Sequence, residues 1–183
     1  MSSFVRPAVP RRVVTGIRDG KSVFVSDGPV PNAHHYDALP GHMTSVIYAT
    51  AAKPGLPQAE AEQAPPRMPI PPGPGETRLM IVVFPPDTVF ANADIGAAIG
   101  EQAEHIPGLI DAFEPEAPGM HTTDTVDYDI VLDGEIWLEL DDGAETRLGQ
   151  GDIAVQCGTR HAWRNRSDRP ATLCFVLIGA VRG

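Results

Sequence analysis

The sequence predicts a closed, antiparallel all-β domain, a barrel or jelly roll, with extra N-terminal strands and at most one or two short helices. Three observations carry this. Six short strand-like segments with tight turns between them crowd into residues 127–178. Glycine and proline are abundant, 18 and 19, while aromatics make up only 6%. That is the punctuation of many short strands, not of a helical bundle. Only one segment has a helical pattern, and evenly spaced short strands of this kind close on themselves.

The elements follow in chain order. Residues 12–15 are β-branched, residues 21–26 (KSVFVS) alternate, and residues 44–50 (TSVIYAT) form a third N-terminal strand. Asp19-Gly20 and Asp27-Gly28-Pro29 read as turns. Residues 53–75 carry eight prolines and read as an extended surface connection, because proline lacks an N–H and restricts its predecessor. A strong strand at 77–84 is closed by Pro85-Pro86. Residues 92–105 form the one expected helix, capped by Asn92 or Asp94. Strands are then expected at 127–132, 135–140, 145–148, 153–156, 161–165 and 172–178, with Asp133-Gly134 as a hairpin turn. The chain divides into N-terminal strands and the proline-rich connection, 1–75, packing on a barrel formed by 76–183.

Hydrophobic residues reach 42%, enough for a core, and the net charge is −10. A nucleic-acid partner is disfavoured, since phosphate binding needs a basic surface. The N-terminus has no apolar stretch of signal length. The longest strongly apolar run, Leu79 to Phe84, is too short to cross a bilayer. The expectation is a cytoplasmic protein with a small-molecule substrate and no membrane partner. Cys157 and Cys174 are expected to be small buried side chains.

Alternate residues of a strand share a face. His121 with Thr123, Asp127 with Asp129, and His161 with Trp163 and Asn165 therefore each share one. Neighbouring strands of a small barrel would bring His121, Asp127 and His161 to one interior point. Two imidazoles and a carboxylate with open positions are a facial set for iron and related divalent metals, and small closed barrels hold one ligand in the mouth. Each residue also has a plainer role. A histidine can be a polar barrel residue bonded to a neighbour. Asp127 can bond a loop N–H or pair with Arg160 or Arg164. Asp124 suits a turn, and Asn165 suits backbone bonds at the barrel end. Asp129, if it faces the cavity, makes a second buried carboxylate and raises one pKa. Trp163 suits a pocket wall, and Arg160 or Arg164 a clamp on a substrate carboxylate. His34-His35 and His42 lie in turn-rich sequence and are poor ligands, and His105 ends the helix.

The stretch His121-x-Thr123-x3-Asp127-x6-Gly134 resembles the first motif of the cupin family, a His-x-His pair followed by Glu and then Gly at this spacing. Gly151-Asp152-x5-Gly158-x2-His161-x3-Asn165 resembles the second. The resemblance covers the C-terminal half, from about residue 76 to residue 180. It implies a double-stranded β-helix barrel, often dimeric, with a metal held by three His and one Glu. The departures are specific. The second histidine is Thr123, the glutamate is Asp127, the glycine before the first histidine is Pro115, and the proline of the second motif is Gln156. The implied ligand set is His121, Asp127 and His161, for Fe, Mn, Zn or Ni.

Two functions follow. The first is an enzyme on an oxygenated organic molecule, by lyase or isomerase chemistry (dehydration or decarboxylation) or by oxygenase chemistry. Asp127 and His161 would be catalytic, and Thr123, Asp129, Trp163 and Arg160 would bind substrate, in a homodimer. The second is a non-catalytic module that binds a small metabolite and lacks a complete metal site. A variant of the first uses His and Asp as a bare acid–base pair without metal.

Overall fold

The protein is described by a computed structural model covering residues 6–56 and 68–183. The middle of the proline-rich connection, residues 57–67, lies outside the described residues. Eleven strands are described: β1 (Arg11–Arg18), β2 (Lys21–Pro29), β3 (His34–His35), β4 (Met43–Thr50), β5 (Thr77–Phe84), β6 (Thr125–Asp133), β7 (Glu135–Glu139), β8 (Glu145–Gly149), β9 (Ile153–Cys157), β10 (Ala162–Arg164) and β11 (Ala171–Gly179). Two helices, α1 (Asp87–Ala91) and α2 (Ile95–His105), follow β5. Asp94 caps α2, its carboxylate accepting from the Ala97 N–H at 3.1 Å.

Three sheets form, all with antiparallel pairs. A six-stranded sheet runs β3-β4-β5-β11-β6-β9, a three-stranded sheet runs β10-β7-β8, and β1 pairs only with β2. The two larger sheets face each other across Val131, Ile136, Ala171 and Leu173, with Phe84, Trp163 and Phe175 packed around them. A second core, Val46, Ile70, Met80, Val82, Ile106 and Leu177, fills the inner face of β4, β5 and β11. β4 pairs with β5 from Met43 to Thr50, so residues before 76 build part of the large sheet.

Two expected turns differ. Asp133-Gly134 is not a hairpin, because β6 lies in the large sheet and β7 in the small one. It is a corner between sheets. Gly134 has φ +81°, and a Cβ there would lie 2.7 Å from the Pro170 carbonyl oxygen. Asp27-Gly28-Pro29 is the end of β2, where Arg11 holds Asp27 across the ribbon at 2.7 Å. Asp19-Gly20 does turn the β1–β2 hairpin, with φ of 51° and 71°.

β6 and β9 are patterned in reverse. On β6, Thr125, Asp127, Asp129 and Val131 point inward and are buried, while Tyr128 and Leu132 point out and are exposed. On β9, Ala154 and Gln156 are buried, and Ile153, Val155 and Cys157 are exposed. Cys157 is thus exposed and Cys174 half-buried, against the expectation of two buried thiols, because both lie on the outward phase of their strands. Among the described residues no helix is long and apolar enough to cross a membrane.

Candidate functional site in the barrel mouth

His121 and His161 meet through a two-residue bridge. Each backbone N–H donates to the other's carbonyl, at 2.9 and 3.0 Å. The rings follow, with centres 4.3 Å apart and planes tilted by 50°. Nδ1 of His121 lies 3.1 Å from the Gly119 carbonyl oxygen, and Nδ1 of His161 lies 2.9 Å from that of Thr159. A carbonyl only accepts, so each Nδ1 carries the proton and each Nε2 presents a lone pair. Burial holds His121 down to about 4, helped by the neighbouring His161, and holds His161 below the ordinary imidazole value. Both rings are neutral bases at pH 7. Phe113 packs on His121 with ring centres 4.7 Å apart, and Trp163 meets His161 edge-on at 6.0 Å.

The carboxylates behave in the opposite way. Asp129 is 1% exposed, and neither of its oxygens has a hydrogen-bond partner. Burial and the adjacent Asp127 push it up to about 8. Asp127 is pushed up to about 6 by burial, opposed by a hydrogen bond from Thr125, and its Oδ1 has no partner. Thr123 continues the chain, its hydroxyl 2.7 Å from that of Thr125. Gln156 pairs across from Asp127 on β9, with its Nε2 buried and unpartnered and its Oε1 bonded by Thr159. Thr125, Gln156 and Phe113 were absent from the residues expected at the site. The inward phase of β6 carried a signal for Thr125, and the inward phase of β9 carried one for Gln156. Phe113 follows a short 3-10 turn and joins His121 through an isolated bridge, so it has no periodic signal.

Arg160, expected to bind substrate, is held by acidic groups of its own chain. Its guanidinium donates to both oxygens of Glu114 and to Asp141, each at 2.7 Å, so its charge is already met. Arg164 is held by Glu139 and the Pro118 carbonyl, and neither arginine pairs with Asp127. Asn165 ties the barrel end as expected, donating to the Phe84 and Arg169 carbonyls. Asp124 is an exposed partner of Arg182 at 2.7 Å. His34 is stacked on His105 and bonded to Glu101, and His42 is bonded to the Val83 carbonyl. Thr123 and Asp124 line an open cavity of about 380 Å³ together with Pro71, Pro72 and Pro74. A cavity of about 280 Å³ lies elsewhere, between His34, Val46, Met80 and His105. Neither is lined by the two histidines or the two carboxylates.

The Nε2 atoms of His121 and His161 suit a divalent metal, but a centre needs more. Among the described residues no group of three or more His, Cys, Asp or Glu side chains is gathered so as to hold a metal ion. The expected set of His121, Asp127 and His161 is therefore not assembled. Asp127 is one methylene shorter than the family's Glu and is turned to Thr125, and Thr123 spends its hydroxyl on Thr125. A three-ligand metal does not fit this arrangement.

Residues 112–178 match the Cupin domain family model. Curated relatives cluster in fungi. The chain is 60% identical over 62 residues to Phomopsin biosynthesis cluster protein C' of Diaporthe leptostromiformis, covering 33% of each chain. It is 32% identical over 99 residues to the Cupin-domain-containing oxidoreductase srdB of Neurospora crassa, covering 51% of this chain and 50% of that one. The chain thus spans between about a third and a half of the length of these relatives. Among solved structures, the Cupin_2 domain of an XRE family transcriptional regulator from Enterobacter cloacae is similar, with TM-score 0.39 and 12% identity, covering 77% of this chain and 99% of that one.

Proposed function

We propose that the barrel mouth is the site of a small-molecule enzyme of lyase or isomerase type, working by proton transfer on an oxygenated organic substrate. One observation carries this reading. The barrel holds two neutral imidazoles with free Nε2 lone pairs, and the inward face of β6 holds two carboxyl groups whose pKa values are raised, to about 6 and about 8. Groups whose environments push their pKa values apart are how one site holds a base and an acid at the same pH. Nε2 of His161 or His121 takes a proton from carbon or oxygen. The protonated Asp129, with Asp127 above it, supplies one to the leaving or rearranging oxygen. Thr123 and Gln156 orient the substrate, and Trp163 and Phe113 exclude water. The net charge of −10 supports a small molecule over a nucleic acid as partner.

A second reading, oxidoreductase chemistry, is favoured by the similarity to the Neurospora crassa protein named a cupin-domain-containing oxidoreductase. A third keeps the barrel as a binding module without turnover. One experiment separates them. The purified protein is incubated in D2O with a panel of small hydroxy and keto acids, and deuterium incorporation and product are followed by NMR, before and after chelation. Exchange that survives chelation and is lost in His121→Ala and His161→Ala supports proton transfer. Activity that disappears with a removed metal supports the second reading. Ligand binding without exchange or turnover supports the third.

A further inference from the structure

The inner face of β4 and β5 is covered by Ile70 and Ile106, which pack with Val46, Met80 and Val82. The cover is incomplete. A cavity of about 280 Å³ lies between these strands, the segment before β5 and the C-terminal end of α2. It is separate from the barrel mouth, since neither the two histidines nor the two carboxyl groups there line it.

Its two sides differ in chemistry. Val46, Ile70 and the thioethers of Met68 and Met80 make one side apolar. The other side is polar. Asn32 is in the lining, and its Oδ1 is buried without a hydrogen-bond partner. A buried carbonyl oxygen of this kind calls for a donor. The hydroxyls of the lining are already engaged, Thr44 with Tyr36 at 3.0 Å and Ser45 with the Ile81 carbonyl at 3.2 Å.

Charge decides the kind of donor. Among the described residues, no lysine or arginine lines the cavity, whereas Glu104 does. α2 ends here at His105, so the negative end of its dipole lies at the same wall and favours a cation. The basic groups of the lining are two imidazoles, His34 and His105, stacked with ring centres 3.4 Å apart and planes 7° apart. Two rings this close do not both carry a charge, and near pH 8 an ordinary imidazole carries none. Nε2 of His34 is in turn committed to Glu101 at 2.7 Å. An anion would find no countercharge in this lining. A cation with N–H groups finds an acceptor, a carboxylate and a helix C-terminus.

We propose that this cavity is a second small-molecule site, which takes a primary ammonium group carried on an apolar body. The ammonium donates to Asn32 Oδ1 beside Glu104, and the body lies against Val46, Ile70 and the two thioethers. A volume of about 280 Å³ holds about ten non-hydrogen atoms at the loose packing of an organic liquid. The site is independent of the chemistry in the barrel mouth.

The test uses the full chain with isotope-labelled methionine methyl groups, followed by NMR near pH 8. It is titrated with 2-phenylethylamine, 2-phenylethanol and phenylacetate, which share a ring and differ in charge. The expected result is a saturable shift of the Met68 and Met80 signals by the amine, with Met120, next to His121 in the chain, unmoved. The amine binds about tenfold more tightly than the alcohol, because a charge-assisted hydrogen bond replaces a neutral one, and phenylacetate does not bind. Ala33→Phe, which fills the cavity from the loop before β3, abolishes the shift. Asn32→Ala weakens the amine about tenfold, and it carries the test alone if Ala33→Phe does not fold. Glu104→Gln weakens the amine several-fold and leaves the alcohol unchanged. An amine that moves Met120 and not Met68 and Met80 belongs to the barrel mouth and overturns the proposal. So does an alcohol or acid that binds as tightly as the amine, binding that survives Asn32→Ala unchanged, or the absence of any saturable shift.

Discussion

Asp129→Asn isolates the most unusual group in the barrel. Asp129 is buried, unpartnered and pushed up to about 8. An unfolded aspartate ionises near 3.9, so the unfolded chain releases this proton at a pH where the folded chain keeps it. The folded-state pKa is raised, and the stability it contributes is therefore fully present below about pH 4 and is lost as pH rises towards 8. Each pKa unit is 1.36 kcal/mol, so the penalty grows by about 3 to 4 kcal/mol between pH 5 and pH 8. Asparagine has nearly the same shape and no charge to suppress. It keeps an unpaired amide in the barrel, an offset that does not vary with pH. The expected outcome is a variant close to the unaltered protein at pH 5 and more stable at pH 8. The stability difference should widen by about 3 to 4 kcal/mol, roughly 10 °C in melting temperature for a chain of this size. Thermal and urea unfolding at four pH values measures it. A stability difference that stays flat from pH 5 to pH 8 would refute the reasoning, since Asp129 would then titrate as an ordinary carboxylate.

Three other outcomes follow from the same geometry. His42 and His121 are both held down to about 4 by burial, so the unfolded chain binds protons there first. In an Asp127→Asn/Asp129→Asn background, where the opposing slopes of both carboxyl groups are gone, stability should fall by about 2 to 3 kcal/mol per histidine as pH drops from 6.5 towards 4, and urea midpoints across that range check it. Gly179→Ala should destabilise by roughly 3 kcal/mol, because its Cβ would overlap the Gly73 carbonyl oxygen and break the strap in which Gly75 and Glu76 exchange backbone bonds with Gly179; thermal melts read this. Trp163→Phe should leave the fold intact but weaken small-molecule binding, since the ring closes on His161 and Phe175; calorimetry with any ligand found in the acid panel reads that loss.

Which parts of this molecule could be read from the chain depends on how local their causes are. β5 is found at its expected residues, because a β-branched run closed by Pro85-Pro86 has no other extended partner to offer. The Asp94 cap and the end of α2 at His105 follow from neighbours in sequence. Asp133-Gly134 was misread because a dipeptide states only that the chain can take a positive φ, whereas the sheet that receives the next strand is decided by Pro170 and Ala171 packing on Gly134. β3, two residues long, has no period to detect. The site shows the same division. Motif spacing located His121 and His161, and both are buried together. Spacing carries no information on reach, however: Asp127 is one methylene shorter than the glutamate of the motif, and its carboxyl is engaged by Thr125. The alternation of β6 was legible, but alternation alone does not say which phase is covered. Asp127 and Asp129 face in and Tyr128 faces out because β11 pairs with β6 in the register Phe175–Asp129 and Leu177–Asp127. A slip of one residue would bury Tyr128 and Ile130 and expose both carboxyl groups. That slip would relieve two buried acids and an exposed apolar face together, yet the strand does not take it. The reversed pattern is therefore held by its neighbours, and it serves two purposes at once: it places acids inside the barrel and an apolar face outside it.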